Sequence, residues 1–201
     1  MSASQRVRSA GTAYAVGGLL WLVLATTIAV VYGGDPPAGS SAFFASQVIW
    51  IILQVLLLLG FFGIFWSGGV RGVFGLIAFG LGVLGHLAFL ASEIHSLFIG
   101  ASSDLLAIGA LVSAVGILLT GIAVLTAKRW HGWTRWMPLL TGLYPFLFLF
   151  PFLFIYGEPN SYLIAGWGLL RLALGLAIRA QADALPAATS PADVKLSQRG
   201  V

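Results

Sequence analysis

Six apolar stretches, each long enough to cross a bilayer, take up most of this 201-residue chain. Hydropathy marks them at about 12–33, 43–66, 72–94, 105–127, 136–157 and 161–180. A membrane helix needs about 20 apolar residues. In hydrocarbon a segment of that length satisfies its own backbone polar groups by coiling into a helix. The connections are short, which makes chain neighbours antiparallel hairpins. The expected fold is all-α: a polytopic membrane protein of six transmembrane helices. Charged residues are 8% of the chain, against about 25% in a soluble domain. The sequence leaves no room for a soluble catalytic domain.

The charges orient the bundle. Arg6 and Arg8 precede the first stretch, and Arg71 lies in the second gap. Lys128, Arg129 and Arg135 lie in the fourth gap, and Arg179, Lys195 and Arg199 fall at or after the end of the sixth stretch. The first, third and fifth gaps hold Asp35, Asp104 and Glu158 and no Lys or Arg. Basic loops stay in the cytoplasm, so both termini are expected there: residues 1–11 as a short N-terminus and 181–201 as a disordered tail. The run from Ala13 to Tyr32 exceeds the 7–15 residues of a cleaved signal core and reads as a membrane helix. Eight Arg against two Lys, with much Ala and Gly, suggests a GC-rich bacterial genome, and hence a bacterial cytoplasmic membrane. The pI near 9.9 reflects these topology charges and their contacts with anionic lipid headgroups. Membrane lipids are the expected partners, and nucleic acid is not.

Several chemistries lack their residues. There is no Cys, which removes thiolate catalysis and Cys metal sites. His86 is the one His inside a span, so a bis-His haem within the chain is not expected. A zinc site needs three or four converging ligands, and His86, Glu93, His95 and Asp104 show no such spacing. Both Lys are cytoplasmic, which excludes a retinal Schiff base. No phosphate-cradling loop or nucleophile elbow is present. No catalytic residue, metal or cofactor is therefore expected.

What remains are polar residues placed in lipid. Arg171 is central. Counted at about 1.5 Å per residue, it lies about 13 Å from Tyr162 and about 12 Å from Arg179, close to the midplane. Gly168 and Gly175 share its helix face, and small residues mark close helix packing. Arg171 is either an anion-recognition or gating charge, or a structural residue bonded to carbonyls freed by a kinked fifth helix. That helix carries Pro138, Pro145 and Pro151. His86 and Glu93 share one face of the third helix, two turns apart, with Gly75 and Gly82 continuing the stripe. They form either a proton path or a neutral His bonded to a neighbour and a solvated Glu. Gln54, His86, Ser113, Tyr144 and Arg171 put one polar side chain each in the middle third of five helices. The group defines either a small ligand cavity or interhelical hydrogen bonding. Gly109, Ser113, Gly116 and Thr120, spaced 4-3-4 along the fourth helix, form a small-residue packing seam. The loop Lys128–Trp136 mixes three Trp with three basic residues, as a membrane interface does.

The stretch Gly132-Trp133-Thr134-Arg135-Trp136-Met137-Pro138-Leu139-Leu140-Thr141-Gly142-Leu143-Tyr144-Pro145, followed by Gly157-Glu158-Pro159-Asn160 and Gly166-Trp167-Gly168, resembles small six-helix integral membrane proteins of bacteria. The resemblance covers about a quarter of the chain. It implies a six-helix fold and carries no activity.

Three functions stay open. A carrier or binding protein would hold a small polar or anionic ligand with Arg171, Gln54, Tyr144 and His86, and would use His86 and Glu93 for protons. A non-catalytic assembly or regulatory subunit would pack through Gly-rich faces, as a homo-oligomer or with a membrane partner. A lipid-modifying enzyme using His86 and Glu93 ranks third, because no acid/base pair at contact distance, nucleophile or metal motif supports it.

Overall fold

The structure is a computed structural model describing residues 1–157 and 160–185. It is all-helical, with six helices long and apolar enough to span a membrane: α1 Ala3–Tyr32, α2 Ser41–Trp66, α3 Gly72–Ile99, α4 Leu105–Ala127, α5 Gly132–Tyr156 and α6 Ser161–Ala184. Hydropathy places the spans but not their caps. α1 starts at Ala3 because Ser2 accepts the Gln5 amide while the Gln5 side chain bonds back, a capping box. Val7 and Ala10 are buried, so this early turn already packs. α3 runs on to Ile99 and stops where Gly100 takes a left-handed conformation. Gly33 and Gly157 close α1 and α5 in the same way. α6 continues to Ala184, so the first residues of the expected tail are helical. The rest of that tail from 186 on, with Lys195 and Arg199, lies outside the described residues, as do Glu158 and Pro159.

Glycine decides which helices touch. A Cβ on Gly11, Gly18, Gly168 or Gly175 would come closer than 3 Å to Arg179, Leu172, Leu22 or Ala15 backbone, respectively. The first and last helices therefore run antiparallel with backbone against backbone, as small-residue faces allow. α3 and α4 do the same: Gly82 meets Gly116, Gly85 meets the Ser113 backbone, and Gly109 meets Phe89. Thr120, last in that seam, is buried and donates back to the Gly116 carbonyl at 2.7 Å. Gly121 and Gly142 join α4 to α5 at Leu139 and Leu118, and Gly60 and Gly63 of α2 receive Tyr14 and Ala10 of α1.

α5 is irregular for reasons written in its prolines. It opens with a 3₁₀ turn at Gly132–Trp136, continues as α-helix Met137–Tyr144, widens to a π-turn at Pro145–Leu149, and resumes as α-helix Phe150–Tyr156. Pro145 has no N–H to give the Thr141 carbonyl four residues back. Beyond the π-turn no residue of Phe150–Tyr156 is buried. In the loop before α5, Trp130 is buried and donates to Ser67 Oγ at 3.0 Å. Trp133 and Trp136 are exposed, and the Arg135 guanidinium lies 5.1 Å from the Trp136 ring.

The antiparallel order puts the N-terminus, Arg71 and the Lys128–Arg135 loop at one end of the bundle, and Asp35 and Asp104 at the other. These are the basic and the acidic end below.

Candidate binding site in the bundle core

Arg171 is fully buried. Gly168 and Gly175, one turn to either side, bring α1 against this face of α6, and the Arg171 backbone itself rests on Gly18. Its guanidinium carbon lies 4.3 Å from the Trp21 ring centre and 4.0 Å from that of Trp167. The two rings meet nearly at right angles, 76° apart with centres 5.4 Å distant. The cation thus sits in an aromatic corner. Both indoles are fixed by their N–H groups: Trp167 donates to the Thr141 carbonyl at 2.9 Å, and Trp21 to the Ile164 carbonyl at 2.8 Å. The Thr141 carbonyl is the one Pro145 releases. The freed acceptor therefore holds Trp167 rather than Arg171, which corrects the expectation that a structural Arg171 would bond to it. Nε, Nη1 and Nη2 of Arg171 have no hydrogen-bond partner among the described residues.

Other unpartnered polar atoms gather toward the same core. The Tyr14 hydroxyl, both amide atoms of Gln54, Ser113 Oγ and His86 Nε2 are all buried without a partner among the described residues. Tyr14 and His86 rings are 6.4 Å apart, and Phe61 lies 4.9 Å from His86. Ser113 packs its backbone on Gly85, the residue before His86. Tyr14 is one turn from Gly18, on which the Arg171 backbone rests, and its ring leads on to that of His86. Gln54 lies two turns from Phe61 on one face of α2. His86 Nδ1 is 2.8 Å from the Gly82 carbonyl. A carbonyl only accepts, so Nδ1 carries the proton, and in the neutral ring Nε2 presents a lone pair. Five helices (α1, α2, α3, α4 and α6) each contribute one of these side chains.

The site is closed. Tyr14, Gln54, His86, Ser113 and Arg171 all have 0% exposure, so no water-sized space adjoins them. Toward the acidic end an aromatic layer covers them: Trp21 contacts Trp50 at 4.8 Å and Phe89 at 5.7 Å. Phe89 sits on the α3 stripe between His86 and Glu93, so an apolar ring interrupts the direct line between them. Glu93 is buried beyond that layer. There Ser92 and Ser96 bond to α3 carbonyls and the Ser103 amide donates to Ser96 Oγ. His95 is exposed and bonds Ser103 Oγ at 2.9 Å. Tyr144 stands apart from the unpartnered group: it is half-buried against Gly166 and donates to the Leu163 carbonyl at 3.0 Å.

A cavity of about 290 Å³ opens at the acidic end between α1, α6 and the loosely packed end of α5. Asp35, Phe152, Asn160 and Ile164 help line it. Ile164 links it to the site, because its carbonyl holds the Trp21 indole. Among the described residues no cluster of three His, Asp or Glu could hold a metal ion.

Sequence reasoning passed over Tyr14, Trp21 and Trp167. Tyr14 carried a readable signal, since Gly11 and Gly18 flank it as Gly168 and Gly175 flank Arg171. The two Trp carried none, because Trp in a membrane segment reads first as an interface anchor. No protein-family model matches the chain, and no curated protein or solved structure matches it either.

Proposed function

We propose that this chain is a multi-pass carrier or binding protein that takes a small polar or anionic ligand at Arg171. One observation carries the reading: a fully buried guanidinium whose three nitrogens have no partner among the described residues, amid four further side chains with polar atoms unpartnered there. Burying a charge costs several kcal/mol even after relaxation. Each indole face returns about 2 kcal/mol when desolvated. The remainder calls for a counter-charge or hydrogen-bond acceptors, which an anion supplies. Since the closed arrangement has no space beside Arg171, entry requires the helices to part. The thinly packed Phe150–Tyr156 segment, hinged at the π-turn, is the element that moves at least cost, and the acidic-end cavity is the approach it uncovers. We assign the basic end to the cytoplasm of a bacterial cytoplasmic membrane on the loop charges, with both termini inside and the ligand approach outside.

The assembly reading has less support. The Gly-rich faces of α3 and α4 are occupied by each other within one chain, so they offer no free surface to a partner. The lipid-enzyme reading gains no nucleophile or paired acid and base.

The test is native mass spectrometry of the purified protein beside Arg171→Met. A small adduct on the wild type that the folded variant lacks is the expected result. Two folded, ligand-free proteins, even after incubation with a panel of small anions, would overturn the reading.

A further inference from the structure

The unpartnered atoms also describe the ligand, given the reading of Arg171 as its anchor. Arg171 offers five N–H donors, Gln54 two, and Tyr14 and Ser113 one hydroxyl each. Donors on this scale suit an oxyanion. Gln54, Tyr14 and Ser113 can each also accept, and so adapt to either kind of ligand atom. His86 Nε2 cannot adapt: with Nδ1–H committed to the Gly82 carbonyl, the neutral ring offers only a lone pair there, buried and without a partner among the described residues. An anion made of acceptors alone would draw the donors of Arg171, Gln54, Tyr14 and Ser113 to itself and leave that lone pair stranded.

We infer that the ligand is a small oxyanion that carries its own O–H or N–H donor, with the oxyanion on Arg171 and the donor on His86 Nε2. A hydroxycarboxylate or a hydrogen-bearing inorganic oxyanion has this chemistry; a plain carboxylate or nitrate does not. A buried acceptor left unpaired is what lets a site reject an analogue that lacks only a hydroxyl. His86 thereby acts as the discriminating residue and Arg171 as the anchoring one.

The experiment uses matched probes on the full chain in detergent, with affinities from calorimetry. Lactate is paired with propionate, and bicarbonate with nitrate, so that the members of each pair differ chiefly in the donor. On the wild type, at least one donor-bearing probe should bind about tenfold or more tighter than its partner, the scale of one unsatisfied buried group. In His86→Leu the ratio should fall toward one while the donor-free probe keeps its affinity. In Arg171→Met both probes should be lost. Equal binding within each pair on the wild type, abolished by Arg171→Met, would overturn this inference and leave the Arg171 site standing. No binding of any probe to the wild type would count against the Arg171 site itself. Should His86→Leu fail to fold, the wild-type ratios decide alone.

Discussion

Replacing Arg171 by Met should make the ligand-free protein more stable. Three buried guanidinium nitrogens lack partners among the described residues, and each such group costs about 1–3 kcal/mol, more when charged. Against this, the contacts with Trp21 and Trp167 contribute about 2 kcal/mol each at most. Methionine keeps an unbranched stem of similar reach and a thioether that packs well on aromatic rings. The balance favours the variant by about 1–4 kcal/mol, the range in which buried ionic groups exchanged for apolar ones have gained stability. Denaturant unfolding of both proteins in the same detergent, after exhaustive dialysis, measures the difference. Adding a saturating ligand should raise the wild type and leave the variant unmoved, by mass action on the folded state. A variant less stable than the ligand-free wild type would refute the reasoning. It would mean that the guanidinium is bonded in solution and that Arg171 serves the fold.

The same substitution should have opposite signs at two glycines. Gly116→Ala places a methyl on the Gly82 backbone and forces α3 and α4 apart, so a loss of about 1–3 kcal/mol is expected. Gly80→Ala meets nothing within 4 Å and should gain up to about 1 kcal/mol of helix propensity. Thermal unfolding of the two variants checks both signs. Trp167→Phe strands the Thr141 carbonyl and should cost about 1–3 kcal/mol. Adding Pro145→Ala returns a backbone donor to that carbonyl, so a double-mutant cycle should show positive coupling; additive losses would contradict the pairing. Because the chain has no Cys, single introduced thiols report topology. Ala38→Cys should react with a membrane-impermeant maleimide on intact cells, and Ser9→Cys only after lysis.

Six spans were legible because bilayer crossing is set by length and apolarity, and both are properties of sequence alone. Their ends were less so: the start of α1 depends on a reciprocal bond between Ser2 and Gln5, which hydropathy does not weigh. Arg171 stood out because a charge in lipid is rare, and His86, Gln54 and Ser113 because they are polar at mid-depth. Tyr14 shares their burial, and the flanking Gly11 and Gly18 were the readable sign that it faces a packed helix. The aromatic corner was not legible, because it depends on which two helices meet. The carbonyl freed by Pro145 was foreseeable from the proline. That Trp167 takes it follows only from α6 packing against α5 at Thr141.

The close contact between α1 and α6 also bears on how the protein is made. Of the six spanning helices described, the two that pack most intimately are the ones made first and last. At about 5–20 residues per second, the segment from Tyr32 to Ser161 takes roughly 6–26 seconds to synthesise. During that interval the Gly11–Gly18 face of α1 has lipid where its partner will be, with α2 alone beside it. Closing the bundle is then a late docking step between α1 and α6. A chain halted before residue 161 would insert with an open seam and an unfinished core, its Gly11–Gly18 face still against lipid.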